Sequence, residues 1–212
     1  MKAYCINLRR RTDRWSFMSG QFKRLNLTVE RFDAVDGETL APEVVGTNRP
    51  GGVACTMSHL AIIEDARRRG YEAIMVFEDD AVLCKDFNER LELFLAHAPA
   101  DWDMLYLGIS AMTNEIPVTQ YVYRLLDGWT THAYILRNKM FDEVIRRMGD
   151  QPNGEPDEYY NAMMPERNCY VFLPCLSYQR ADWSDIRGRF RADEDRFTGL
   201  YADDLLGAGR RA

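Results

Sequence analysis

Apolar positions along this chain follow two periods. Five apolar residues, Ala73–Phe77, run straight into Glu78, Asp79 and Asp80. A continuous run of that length after Gly70 predicts a strand buried on both faces, as in a parallel sheet. Shorter apolar stretches predict strands over Ala3–Leu8, Thr28–Phe32, Asp103–Gly108, Thr130–Leu136 and Cys169–Ser177, the last interrupted by Pro174. Between them the spacing changes to three and four, the period of an amphipathic helix. Trp15, Met18, Phe22 and Leu25 predict one helix, with Thr12 as its N-cap. Met57, Leu60, Ile63 and Ala66 predict another over Thr56–Arg69, closed by Gly70. Phe87, Leu91, Phe94 and Leu95 follow an acidic capping box, Asp86-x-x-Glu89. Phe141, Val144, Ile145 and Met148 lie between a capping Asn138 and Gly149.

Breakers divide the remainder. Ala41–Gly52 is rich in glycine and proline and predicts a long loop, a mobile cover. Ser110–Gly128 has no clean period and reads as an irregular hairpin or loop, and Gln151–Pro156 as a turn. Pro156-Asp157-Glu158 opens a short helix, because proline suits the first helical position and acids the first turn. Strands alternating with helices through the first hundred residues predict an α/β fold with a mixed sheet. The highly charged stretch beyond Arg189 predicts a loosely held tail over 191–212.

Composition narrows the classes. A chain of 212 residues, 46% hydrophobic and 28% charged, supports one good core and a small lobe. The net charge of −6 argues against nucleic acid as the partner. No apolar run is long enough to cross a bilayer, and the arginines at 9–11 arrive too early for a signal peptide, so a cytoplasmic location is expected. Five scattered cysteines without a C-x-x-C argue against a zinc site or a disulfide framework, and three scattered histidines against a histidine metal site.

The chemistry concentrates at strand ends. Three adjacent carboxylates, Glu78-Asp79-Asp80, repel one another and are costly to desolvate, so a positive partner is expected there, best a hard divalent cation with oxygen ligands. The alternative is an acidic turn facing water. The run Arg9–Arg14 after the first strand opens onto a helix N-terminus, a natural seat for phosphates unless it is a solvated basic turn. Asp36, in a turn before Gly37, can receive an N–H or hydroxyl. Ser58 and His59 are neighbours on a helix and cannot form a nucleophile–base pair.

Six motifs in order carry a resemblance: I-N-L-x-R-R-x-D-R (Ile6–Arg14), F-D-A-V-D-G (Phe32–Gly37), S-H-L (Ser58–Leu60), F-E-D-D-A (Phe77–Ala81), T-H-A-Y (Thr131–Tyr134) and S-D-I (Ser184–Ile186). Together they resemble glycosyltransferase family 25, the family of bacterial lipopolysaccharide galactosyltransferases and collagen hydroxylysine galactosyltransferases. One departure is Ala54-Cys55 where the family usually reads Gly-Cys ahead of x-x-Ser-His.

The resemblance implies a GT-A-type, Rossmann-like fold: a mixed, mostly parallel central sheet flanked by helices, in a single domain over residues 1–190. Within it, 1–108 forms the nucleotide-sugar half and 109–190 the acceptor half. It also implies a UDP-sugar donor (UDP-galactose first), a divalent metal (Mn²⁺ first, Mg²⁺ second), and a glycan or glycolipid acceptor such as lipopolysaccharide. The chain is short where longer relatives carry a membrane-associating extension, leaving at most a peripheral hold on the inner membrane face.

Within that frame Asp80 is the first metal ligand and Glu78 the second. If the triplet stays extended, those two point one way and Asp79 the other. Asn7, Arg9, Arg11, Arg14, Asp36, His59, Glu78 and Asp79 are the donor-binding candidates. An inverting transfer needs a base. Asp157 is the first candidate, with Asp185 a second catalytic candidate and Asp182 a rival. Trp129, Tyr134 and Trp183 are candidates to stack on sugar faces.

Overall fold

The computed structural model describes residues 1–46, 48–149, 153–186 and 189–191. Residues 151–152 of the expected turn and 192–212 of the expected tail lie outside the described residues.

In chain order the elements begin with β1 (Lys2–Asn7), α1 (Thr12–Arg24), β2 (Glu30–Asp33), a 3-10 turn (Gly37–Thr39), α2 (Pro42–Val45) and α3 (Pro50–Arg68). Next come β3 (Ala73–Glu78), β4 (Ala81–Leu83), α4 (Phe87–His97), β5 (Met104–Tyr106), β6 (Glu115–Pro117), β7 (Val122–Leu125) and β8 (Ala133–Arg137). The last are α5 (Phe141–Gly149), α6 (Pro156–Met163), β9 (Cys169–Phe172), β10 (Ser177–Gln179), β11 (Asp182–Ser184) and β12 (Arg189–Arg191).

Eight strands form one sheet in the order β2-β1-β3-β8-β5-β9-β7-β6. β3 is parallel to β1 and antiparallel to β8, and β1 is parallel to β2. β5 and β9 run parallel, while β7 and β8 run against the other six strands. The sheet is therefore mixed, with most strands in one direction, and the irregular stretch 110–128 supplies its edge hairpin.

Alternation along the central strands builds two cores. Tyr4, Ile74 and Val76 face one way onto Ile62, Ile63 and Ala66 of α3 and Phe141 and Val144 of α5. Cys5, Met75 and Phe77 face the other way onto Met18 and Phe22 of α1 and Phe87 and Phe94 of α4. β3 is thus covered on both sides, as its unbroken apolar run predicts.

Several local expectations are corrected. Arg11, not Thr12, is the N-cap of α1, and no side chain caps it. Asp86 caps α4 by position only; its carboxylate turns to Arg90 at 2.7 Å, so the capping box does not form. Leu95 is exposed, and the buried stripe of α4 is Phe87 and Phe94. Asn138 starts a short 3-10 turn rather than capping α5. The stretch 41–52 is not one loop. α2 occupies part of it, and α3 begins at Pro50, placed at the helix start where a missing N–H costs nothing. Gly51 and Gly52 lie inside α3 because a Cβ on Gly51 would stand 2.7 Å from Ile186 Cα, and one on Gly52 3.1 Å from Glu155 Cγ.

Candidate functional site

A cavity of about 630 Å³ opens beyond the carboxyl ends of β1 and β3, where open α/β sheets place their ligands. Its walls come from the turn after β2, the first turns of α3 and α6, and the segment from Gln179 to Ile186. Nine carboxylates line it against three guanidinium groups, those of Arg10, Arg14 and Arg180.

β3 ends at Glu78, so the triplet is not extended and the simple alternation of its side chains fails. Glu78 accepts from the Thr131 hydroxyl at 2.7 Å and faces His59 Nε2 at 3.4 Å. Burial works to raise its pKa, but His59 and the Thr131 hydroxyl outweigh burial and hold the carboxyl below its ordinary range. Asp79 is buried. It accepts from Asn7 Nδ2 at 2.6 Å and from Arg14 Nη1 at 2.7 Å, and burial still pushes its pKa up against those two donors. Asp80 accepts from the Gln179 amide at 3.0 Å, and its carbonyl accepts from Arg180 N at 2.8 Å.

The basic run divides by turn geometry. Arg11 N–H returns to Leu8 C=O at 2.9 Å, and this turn aims Arg10 and Arg14 at the cavity. Arg10 pairs with Asp36 and lies 3.3 Å from Asp185. Arg14 also donates to Trp183 C=O at 2.7 Å, tying α1 to β11. Four donor candidates, Arg9, Arg11, Asn7 and His59, are not brought to the cavity. Arg9 is 84% exposed and pairs with Asp33, and Arg11 pairs with Asp13 and Asp185 behind the wall. Asn7 is buried and does not line the cavity; it holds Asp79 on one side and accepts from Arg31 at 2.9 Å on the other. Asp36 does line it, and also accepts from Glu38 N to start the 3-10 turn.

His59 is fully buried behind Glu78, its Nδ1 2.8 Å from Tyr134 Oη, and it does not line the cavity. Tyr134 is likewise wholly buried and offers no face to a sugar. Trp129 and Trp183 are exposed but lie outside the cavity lining.

Asp157 lines the cavity from the first turn of α6 and accepts from Thr130 N–H at 3.2 Å. Burial raises its pKa to about 6; the Thr130 bond works against this, while Glu155, Glu78 and Glu158 add to it. Thr130 sits at φ +78°, uncommon for a β-branched residue. Backbone strain of this kind costs about 1–3 kcal/mol and collects at working sites. Asp185 and Asp182 also line the cavity, each tied to arginines: Asp185 to Arg10 and Arg11, Asp182 to Arg180 at 2.6 Å. Burial works to raise Asp182, yet the Trp183 N–H, Arg14 and Arg180 together lower it. No local signal marks Gln179 and Arg180; the antiparallel pairing of β10 with β4 carries them beside Asp80.

Comparison with known proteins supplies the lineage. The profile of glycosyltransferase family 25 (LPS biosynthesis protein) matches residues 1–152. A human protein named inactive glycosyltransferase 25 family member 3 is 28% identical over 216 residues, covering 81% of this chain and 35% of that one. Procollagen galactosyltransferase 1-A of Xenopus laevis is 30% identical over 136 residues, covering 55% of this chain and 22% of that protein. The chain therefore spans well under half the length of these relatives. A crystal structure of a glycosyltransferase involved in glycosylating the major capsid of PBCV-1 superposes with a TM-score of 0.51 at 11% identity, over 80% of this chain and 79% of that one; this is a likeness of fold. With the family profile matched over residues 1–152 of the 212, the chain belongs to glycosyltransferase family 25.

Proposed function

We propose that the chain is an inverting, metal-dependent glycosyltransferase. It moves a hexose, galactose first, from a UDP-sugar to a hydroxyl of a glycan or glycolipid acceptor of the lipopolysaccharide class. The observation that carries this reading is Asp157, a cavity carboxyl whose pKa burial raises to about 6. At neutral pH such a group is mostly ionised yet far more basic than an ordinary aspartate, which suits a general base. In a single displacement the acceptor oxygen attacks the anomeric carbon as its bond to the diphosphate breaks, and Asp157 takes the hydroxyl proton. Asp182 suits that role less well because the Trp183 N–H, Arg14 and Arg180 lower its pKa, and Asp185 because Arg10 and Arg11 occupy its carboxylate.

The cavity residues fit a divalent cation. Each lining arginine already faces a carboxylate, so an incoming diphosphate needs further positive charge. Asp80 is the ligand of first choice, an oxygen donor suited to Mn²⁺ or Mg²⁺. When bound, the cation offsets the negative charge that grows on the leaving diphosphate. Arg10 and Arg14 hold the donor's phosphates, and Asn7 and Arg31 act only by fixing Asp79. On this reading residues 1–108 hold most of the donor and 109–190 present the base and the acceptor. The same reading puts the chain in the cytoplasm, held peripherally at the inner membrane face by its acceptor, which cell fractionation tests.

The test is release of UDP from UDP-galactose, with Mn²⁺ and with chelator. Turnover is expected with the metal, is lost in Asp80→Asn, and yields a product of inverted anomeric configuration by NMR. Metal-dependent hydrolysis surviving in Asp80→Asn removes the metal assignment. The relative named inactive favours a second reading, a nucleotide-sugar-binding protein without turnover. Calorimetric binding of UDP-galactose with no UDP released would establish that reading instead.

A further inference from the structure

We propose that Cys55, His59 and Glu78 form a binding centre for Zn²⁺ at the inner wall of the cavity, distinct from the oxygen ligand Asp80. The Cys55 Sγ, a His59 ring nitrogen and a Glu78 carboxylate oxygen lie within 4.8 Å of one another. Cys55 and His59 are four residues apart on α3 and so share one helix face, and Glu78 meets them from the end of β3.

The decisive distance is 3.4 Å from His59 Nε2 to Glu78 Oε1. A charge-assisted N–H···O⁻ bond closes to about 2.7–2.9 Å. Fully buried His59 Nε2 makes no hydrogen bond among the described residues. Two ligands of a tetrahedral zinc, each about 2.05 Å from the metal, stand about 3.4 Å apart. The gap is therefore too long for a hydrogen bond and the right size for a shared cation.

The surroundings agree. A zinc-bound imidazole donates its other N–H to an outer partner, and here Nδ1 lies 2.8 Å from Tyr134 Oη, which accepts from Tyr160 Oη at 3.3 Å. The Thr131 hydroxyl fixes the Glu78 carboxylate in the same manner. A thiolate beside an imidazole selects zinc over manganese or magnesium. Cys55 and Glu78 both line the cavity, so three protein ligands leave a fourth position facing it, the pattern of a zinc site open to exchange. The sequence argued against zinc because it lacks a C-x-x-C. The relevant spacing is Cys-x-x-x-His on a helix, completed by a strand residue that only the fold brings near.

The test uses the whole chain without nucleotide sugar, so its outcome is independent of transfer activity. Titration with Co²⁺ as a zinc surrogate is expected to give a thiolate-to-cobalt charge-transfer band saturating at one equivalent. The band is lost in Cys55→Ser, and affinity falls about 10–100-fold in Tyr134→Phe, which removes only the outer partner. In the unmodified chain, Zn²⁺ is expected to protect Cys55 from alkylation, read by peptide mass spectrometry, and this readout requires no variant to fold. Absence of the band in folded protein, an undiminished band in Cys55→Ser, or equal alkylation of Cys55 with and without Zn²⁺ would overturn the proposal.

Discussion

Asp157→Asn separates catalysis from stability. The folded carboxyl titrates near 6 against an ordinary 3.8, chiefly because burial disfavours its charged form. Between those values the folded chain holds a proton that the unfolded chain has released, so stability falls as pH rises through this window. Well below 3.8, near pH 3, both states are protonated and the group costs nothing. Above about pH 6 the full penalty applies, about 3 kcal/mol at 1.36 kcal/mol per unit. Asparagine is nearly isosteric, still accepts from Thr130 N–H, and carries no charge. Thermal unfolding should therefore show the variant more stable than the parent at pH 7.5, by about 3 kcal/mol or roughly 6–12 °C for a chain of this size. The difference should shrink to nothing near pH 3. Transfer should fall by about 10²–10⁴, the usual worth of a general base. A variant equally stable at both pH values would refute the assigned burial cost. One transferring at the parental rate would refute the role.

Other perturbations bear on the rest of the site. Arg14→Met leaves Asp79 buried with only Asn7 against it and should cost about 3–5 kcal/mol in urea unfolding. Gly51→Ala puts a methyl 2.7 Å from Ile186 Cα, so the 182–186 segment must move; a loss of about 1–3 kcal/mol by calorimetry is expected, with weaker UDP binding. Asp185→Asn releases Arg10 and Arg11 at a partly exposed position and should change stability by about 1 kcal/mol or less in the same calorimetry. Transfer should persist, whereas abolished transfer with intact donor binding would move the base from Asp157 to Asp185.

The parts legible in the sequence were those set by local pattern. β3 announces itself because both its faces are apolar, and α6 because Pro156 and two acids mark a helix start. The acidic triplet was legible as a site but not as geometry, since the strand ends at Glu78 and its three carboxylates find separate partners. Which arginines line the cavity was hidden for a similar reason: one turn after β1 decides that Arg10 and Arg14, rather than Arg9 and Arg11, face inward. Pro50-Gly51-Gly52 reads as a breaker, yet its glycines admit Ile186 and Glu155 rather than flexibility. Arg180 and Gln179 lay beyond any local signal because a distant strand pairing positions them.

The ties from Arg14 and Arg11 to residues 182–185 span roughly 170 positions of chain. During synthesis β1 and β3 emerge first, while Asp157 and the wall from Gln179 to Ile186 arrive only late in the chain. Closing so large a loop is slow relative to local folding. A nascent chain therefore carries Arg11 and Arg14 long before residues 182–185 exist to meet them, and Asp80 before Gln179 does, so this side of the cavity is the last part of the fold to close.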